Sequence, residues 1–242
     1  MKDELFKGPM SKAVGFEFNR DVAEVFDDML SRSIPFYGEV QNMILDYVND
    51  FYQPGTAIYD LGCSTGMMIA KLAASLKGVD KIVGVDNSRP MIDKAGQLLA
   101  KIPSQIPIEL ACRDIRDVQI ENASAVVMNY TLQFIRPLYR ARVLGNIFRG
   151  LRPGGIFILS EKVLEESTQI SRLFIDMYYR FKRRQGYSEM EISQKRECLE
   201  NVLIPYKVKE HYQLLEKCGF EQVEPFFKWN NFASFIAIKR MD

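Results

Sequence analysis

Between residues 56 and 160 the sequence switches repeatedly between two periods, and nothing else in the chain restricts its fold as strongly. TAIYDL (56–61), KIVGVD (81–86), IELACRD (108–114), SAVVMN (124–129) and GIFILS (155–160) are short apolar runs rich in valine and isoleucine. Near-continuous apolar character, rather than alternation, is expected of parallel strands covered on both faces. Most of the intervals carry helix-length segments such as TGMMIAKLAASL and RPMIDKAGQLLAKI, whereas IRDVQIENA, before SAVVMN, reads as a loop. Strand and helix in alternation predict an α/β fold with a doubly wound, mostly parallel sheet.

The flanks complete this plan. Val22, Val25, Phe26, Met29 and Leu30 fall at helical spacing, as do Val40, Met43, Ile44, Tyr47, Val48 and Phe51, with SIPFYG between the two sets. A helix over 137–150 runs into LRPGG, where Pro153 and Gly154 are expected to stop it. Residues 167–217 leave the alternating pattern. Ile170, Leu173, Phe174, Met177, Tyr178 and Phe181 make one apolar helix face, and two further helical segments follow the turn at RQGYS. EQVEPFFKW and FASFIAIKR, joined by two asparagines, read as a hairpin at the sheet edge, its aromatics in the core. The expectation is one domain with a seven-stranded, Rossmann-like sheet. It comprises N-terminal helices (1–55), a cofactor-binding core (56–160), a helical insertion (161–218) and a terminal antiparallel hairpin (219–242).

Lys and Arg total 32 against 31 Asp and Glu. That balance argues against a chain that wraps a phosphate backbone, so direct nucleic-acid binding is not expected. The basic run Arg180, Lys182, Arg183 and Arg184 around Phe181 reads first as a solvated helix face, with RNA binding or attraction of a small dianion as alternatives. Cys63, Cys112, Cys198 and Cys218 show no CxxC spacing and His211 is the only histidine, so no metal site is expected. These residues are expected to be structural. Scattered thiols, a mixed-charge amino terminus without an apolar signal core, and no bilayer-length apolar run predict a soluble cytoplasmic protein without membrane association.

After the first apolar run, Asp60, Gly62, Ser64 and Gly66 form D-x-G-x-S-x-G. Glycines at such a turn let backbone approach a ligand closely, although a tight turn without a ligand would use them as well. The dinucleotide pattern G-x-G-x-x-G fails at Ser64 and Met67, and no G-K-[ST] follows. Asp86 ends the second run, where a carboxylate can accept from both hydroxyls of a ribose or cap the helix starting near Ser88. Asp114 and Asn129 end the third and fourth. All four positions fall at the carboxyl ends of successive strands, the face on which open α/β sheets bind ligands.

With one substitution the loop resembles D-x-G-x-G-x-G of class I S-adenosylmethionine-dependent methyltransferases. That resemblance implies S-adenosyl-L-methionine (SAM) as the ligand. Its methionine end would lie at the loop, its adenine beside Asp114 and the Ile115 backbone, and its sulfonium before Asn129. The chain lacks N-P-P-Y after the fourth run and a cysteine arrangement for carbon methylation.

A more specific resemblance comes from YDLGCSTG, VDNS, DIRDVQIENAS, NYTLQF, LSEK, FKRRQGYSEMEISQKR and LENVL. Together they resemble the carboxy-S-adenosyl-L-methionine synthase family over nearly the whole chain, GYSEMEISQKR being the most distinctive. The resemblance implies conversion of SAM and prephenate to carboxy-SAM and phenylpyruvate, through a sulfonium ylide that captures the released carbon dioxide. No protein base is obligatory in that scheme, and no catalytic residue is assigned. The product would serve a separate tRNA carboxymethyltransferase that modifies wobble uridine. The same resemblance places Tyr37 near the methionine portion and makes Gly62, Cys63, Ser64, Asp86, Asn87, Asp114, Ile115 and Asn129 cofactor contacts. It gives the product carboxylate to Arg196, a guanidinium being a planar bidentate partner for carboxylate, from its own or a neighbouring subunit of a homodimer. Two alternatives share the cofactor residues: a SAM-dependent methyltransferase acting on a small molecule or RNA, and a SAM-binding regulator without chemistry.

Overall fold

The computed structural model describes residues 2–8 and 15–241. Helices α1 (Arg20–Ser33) and α2 (Tyr37–Phe51) lead into β1 (Ala57–Leu61), α3 (Met67–Ser75), β2 (Lys81–Asp86), α4 (Arg89–Leu99), β3 (Ile108–Cys112) and β4 (Ala123–Asn129). Next come α5 (Pro137–Gly150), β5 (Leu151–Leu164), α6 (Thr168–Arg184), α7 (Glu189–Leu199), β6 (Tyr206–Lys207), α8 (Val208–Lys217), β7 (Gln222–Trp229) and β8 (Phe232–Ile238). Seven strands lie in the order β3-β2-β1-β4-β5-β8-β7, and the two-residue β6 pairs with β5 beside this path. Strands β1 to β5 are mutually parallel, and β8 runs antiparallel to both β5 and β7. The doubly wound sheet and its terminal hairpin are therefore as the apolar runs predict.

Each central strand is covered on both sides, which explains its unbroken apolar character. Leu61, Val85, Met128, Leu144, Phe157 and Phe235 belong to the core on one face. Ile58, Ile82, Ile158, Ile44, Ile69 and Leu72 belong to the core on the other. Each such side chain, fully withdrawn from water, favours the folded state by about 1.5–3 kcal/mol. The hairpin turns through Asn230 at φ 45°, a left-handed conformation that asparagine tolerates better than most residues.

Two boundaries differ from the sequence expectation. Strand β5 begins at Leu151, directly after α5, instead of at Gly155. Leu151 pairs with Ala123 and Ile156 with Ala125, so Arg152–Gly155 form an irregularity within the ladder, Gly154 standing at φ 75°. Pro153 and Gly154 thus bend a strand, and α5 has already ended at Gly150. The second difference lies in the helical insertion. Helices α6 and α7 pack on each other, whereas α8 contacts α5 and β7 and buries Leu215 in the sheet core. Helix α8 is thus a crossover helix of the α/β sheet.

Helix α6 carries half of its apolar face uncovered: Ile170, Leu173 and Met177 are 40%, 50% and 39% exposed, whereas Phe174, Tyr178 and Phe181 are partly covered. Its basic run is not uniformly solvated, because Lys182 is buried against the rings of Tyr178 and Tyr187. No helix among the described residues is long and apolar enough to cross a membrane.

Candidate functional site

The carboxyl ends of β1 to β5 open into one cavity of about 440 Å³, within the size range of small-molecule sites. The first wall is the turn after β1. Both Gly62 and Cys63 donate their N–H groups to Val85 O, at 2.7 and 3.0 Å, which folds the turn back over β2. Gly62 has φ 84°, and a Cβ there would lie 2.3 Å from Thr131 Oγ1. Only a residue without a side chain lets the β1 and β4 turns meet in this way. Gly66, at φ 81°, stands behind the loop: a Cβ would touch Ala95 of α4 at 3.0 Å, and the residue is not part of the cavity wall. Its place is in the packing of α3 against α4.

Asp86 organises the same turn. The Ser64 N–H donates to its Oδ2 at 3.0 Å and the Ser88 N–H to its Oδ1 at 2.9 Å. The helix cap is Ser88, whose Oγ accepts from Met91 N–H at 3.3 Å, so Asp86 stays on the cavity side. Burial pushes its carboxyl upward, and the two N–H donors oppose this. Asp60 has no such compensation. It is 2% exposed, takes no hydrogen bond from any described residue, and lines the cavity. Burial, and then the charge of Asp86, pushes it up to about 7. A buried carboxyl without a partner at a cavity floor suits a cationic ligand group, which would favour its charged form.

Asn87, Ile115, Asn129 and Tyr37 line the same cavity. Asn129 Oδ1 is buried and unpartnered, an acceptor left unspent. Asp114 also faces the cavity but is paired with Arg116, at 2.9 and 2.7 Å, which holds its carboxyl below the usual range. Its remaining lone pairs are available to an amino donor. Cys63 contributes backbone only. Burial, then the charges of Asp60 and Asp86, raises its thiol, so it is no nucleophile. Of the sequence-derived site residues, Tyr37, Asp60, Gly62, Cys63, Ser64, Asp86, Asn87, Asp114, Ile115 and Asn129 thus share one cavity. Arg196 does not join them in its own chain. It is exposed on α7, while its neighbour Lys195 is 6% exposed and lines the cavity. Successive helix residues point about 100° apart, so one helix can present the first inward and the second outward.

Several cavity residues carry no local sequence signal. The segment before α1 lines the cavity beside Phe134: Phe18 sits edge-on to Phe16 and Phe134, with ring centroids 5.2 Å away in each case. Ser88 Oγ donates to Phe18 O at 2.5 Å, and Phe16 N–H to Cys198 O at 2.8 Å, tying this segment to α4 and α7. Asp27 of α1 accepts from Thr65 Oγ1 at 2.6 Å and holds the glycine loop from outside. Beyond Asn129 the cavity continues past Tyr130 and Tyr178 to Lys162 and Lys195. Lys162 could have been suspected only from its place at the carboxyl end of a parallel strand.

The residues fit SAM. A glycine turn that a Cβ would close, an unpartnered buried carboxyl for a cation and an unspent amide oxygen are arranged along one wall. Among the described residues no group of three His, Cys, Asp or Glu side chains is placed to hold a metal.

Residues 58–155 match the family model described as a methyltransferase domain. The chain is 47% identical over 241 residues to a carboxy-S-adenosyl-L-methionine synthase of Methylococcus capsulatus, covering 98% of this chain and 99% of that one. It is 43% identical over 239 residues to the synthase of Nautilia profundicola, covering 99% and 100%. Human N-acetylserotonin methyltransferase, solved with SAM, superposes with a TM-score of 0.59 at 14% identity, over 90% of this chain and 55% of that one, a likeness of fold. Matched from end to end by such relatives, the chain belongs to the carboxy-S-adenosyl-L-methionine synthase family.

Proposed function

We propose that the protein is a transferase that converts SAM and prephenate to carboxy-SAM and phenylpyruvate. The end-to-end likeness to synthases carries this reading, and the cavity supports it by joining a SAM-shaped wall to the ammonium groups of Lys162 and Lys195. The balance is simple: the SAM methyl group loses a proton and gains carbon dioxide, prephenate loses carbon dioxide and hydroxide, and proton and hydroxide leave as water. The chain's own part is to bind and orient. Asp60 meets the amino group of the methionine portion, Tyr37 and the Gly62–Ser64 turn enclose that portion, and Asp86 and Asn87 take the ribose. Asp114 and the Ile115 backbone take the adenine, and Asn129 stands at the reacting carbon. Closure by Phe16, Phe18 and Phe134 would exclude water from a carbanionic step.

Arg196 is assigned to the product carboxylate across a homodimer. Its exposure on α7 and the uncovered apolar face of α6 support that arrangement. The protein works in the cytoplasm, and its product is the carboxymethyl donor for a tRNA carboxymethyltransferase acting on wobble uridine. The test is incubation of the purified protein with SAM, with and without prephenate, followed by mass spectrometry. Gain of one carbon dioxide by SAM, with phenylpyruvate, only when prephenate is present is the expected result. Unmodified SAM and no phenylpyruvate would overturn the reading and return the search to methyl acceptors.

A further inference from the structure

The cavity wall beyond Asn129 carries a charge that SAM does not require. Lys162 lies near the end of β5, two residues beyond Ser160, the residue paired with Asn129. Its ammonium forms no ion pair or hydrogen bond with any described residue; its contact is the face of the Tyr178 ring, 4.9 Å away. The preceding residue, Glu161, does not neutralise it. Alternation along the strand sends the two side chains to opposite faces, and Glu161 lies with Arg140.

The neighbouring cations differ. Lys195 donates to Ser33 Oγ at 3.0 Å and stands 3.7 Å from Asp3, which is also held by the Tyr187 hydroxyl at 2.6 Å. Arg116 is committed to Asp114 at 2.7 Å. Lys182 lies 5.3 Å from the Tyr178 ring but is not part of the cavity wall. Arg136 also lines the cavity without an ion pair to a described residue but is exposed to water, so Lys162 is the shielded ammonium at the wall without a counter-charge. Burial alone drives its pKa down to about 8, and an arriving anion would restore its charge. An unpaired, half-buried cation is costly for a fold to keep, so a ligand group is its natural partner.

The chemistry of the reaction says which anion. The donor of the new carboxyl group must itself carry a carboxylate. The one it loses departs fastest when unpaired and poorly solvated, because a cation beside it would stabilise the ground state and not the departing carbon dioxide. A donor with a second, retained carboxylate can be held by that one alone. We propose that Lys162, backed by the Tyr178 face, binds the retained carboxylate of the second substrate, the one that ends in the 2-oxo acid product. This rests on the reading that prephenate is that substrate and adds a residue and a role to it.

The experiment uses the full-length protein, Lys162→Gln and Lys162→Arg. The proposed function is first checked by wild-type turnover, so its failure is seen separately from that of Lys162. Phenylpyruvate, which bears only the retained carboxylate, is then titrated calorimetrically into wild-type and variant protein loaded with S-adenosylhomocysteine, a readout needing no turnover. Lys162→Gln is expected to raise the prephenate KM and the phenylpyruvate Kd together, each at least about tenfold, since a charge-assisted bond is lost. The SAM KM should stay within about twofold, showing the cofactor wall intact, and Lys162→Arg should recover most of the affinity. Unchanged phenylpyruvate binding in Lys162→Gln would overturn the assignment, as would a loss confined to SAM. A rise in prephenate KM alone would place Lys162 on the departing carboxylate and overturn it too. If Lys162→Gln fails to fold, Lys162→Arg decides: phenylpyruvate affinity near that of the wild type supports the assignment, and no measurable binding overturns it.

Discussion

Asp60 changes charge when a cation arrives, and this can be measured directly. Its carboxyl stands at about 7 because burial, and then Asp86, disfavours ionisation. SAM places a cationic amino group near it in the proposed mode and lowers that value, so binding releases a proton wherever Asp60 begins protonated. Calorimetry at pH 6 in buffers of different ionisation enthalpy should show close to one proton released per SAM, falling toward none at pH 8. Asp60→Asn should abolish the difference. The same shift affects stability. The folded state binds more protons than the unfolded state between about pH 4 and 7, so the contribution of Asp60 is present at low pH and lost as pH rises through 7. Apo Asp60→Asn should therefore melt above wild type at pH 8, with the gap shrinking toward pH 5. Gly62 sets a steric limit at the same site. Gly62→Ala places a Cβ at positive φ against Thr131, and should cost about 2–4 kcal/mol in urea unfolding together with SAM affinity.

At the scale of elements, α7 is the informative case. Its start is a capping box: Ser188 Oγ accepts from Glu191 N–H at 3.2 Å, and Glu191 Oε2 accepts from Ser188 N–H at 2.7 Å. The helix has little amphipathic character of its own and depends on this cap and on Ile192, Lys195 and Cys198 for its position. Ser188→Ala should lower stability by about 1 kcal/mol, read as a shifted urea midpoint. Because α7 carries Arg196, assigned to the product carboxylate, the affinity for carboxy-SAM should fall with it while the SAM KM stays put. A change in SAM binding instead would mean that α7 serves the cofactor.

For the whole molecule, the proposed homodimer makes the site a shared one. Leu173→Asp on the exposed face of α6 should give a monomer by light scattering and strongly reduce turnover. Arg196→Ala and Asp86→Ala should each be inactive as pure dimers. Mixed and re-equilibrated they should regain activity, because one of the two sites then combines an intact cofactor wall with an intact arginine. Absence of complementation, with mixed dimers demonstrated, would mean that Arg196 serves the site of its own subunit and would overturn its placement across the dimer.

Periodicity and turn chemistry act over a few residues, and what they govern was legible in the chain itself. The five parallel strands, the Asn230–Asn231 hairpin and the glycine turn with Asp60, Asp86, Asp114 and Asn129 on one edge follow from local preference and from the rule that such sheets bind ligands at their strand ends. The start of β5 was not legible, because pairing with β4 outweighs the local breaker Pro153–Gly154. Charge state and partnership were not legible either. Lys182 reads as solvated but lies buried, Lys162 carries no signal beyond its strand end, and Lys195 rather than Arg196 faces its own cavity. Burial and the nearness of distant side chains decide those properties, and they exist only once α6, α7 and the segment before α1 have closed over the sheet.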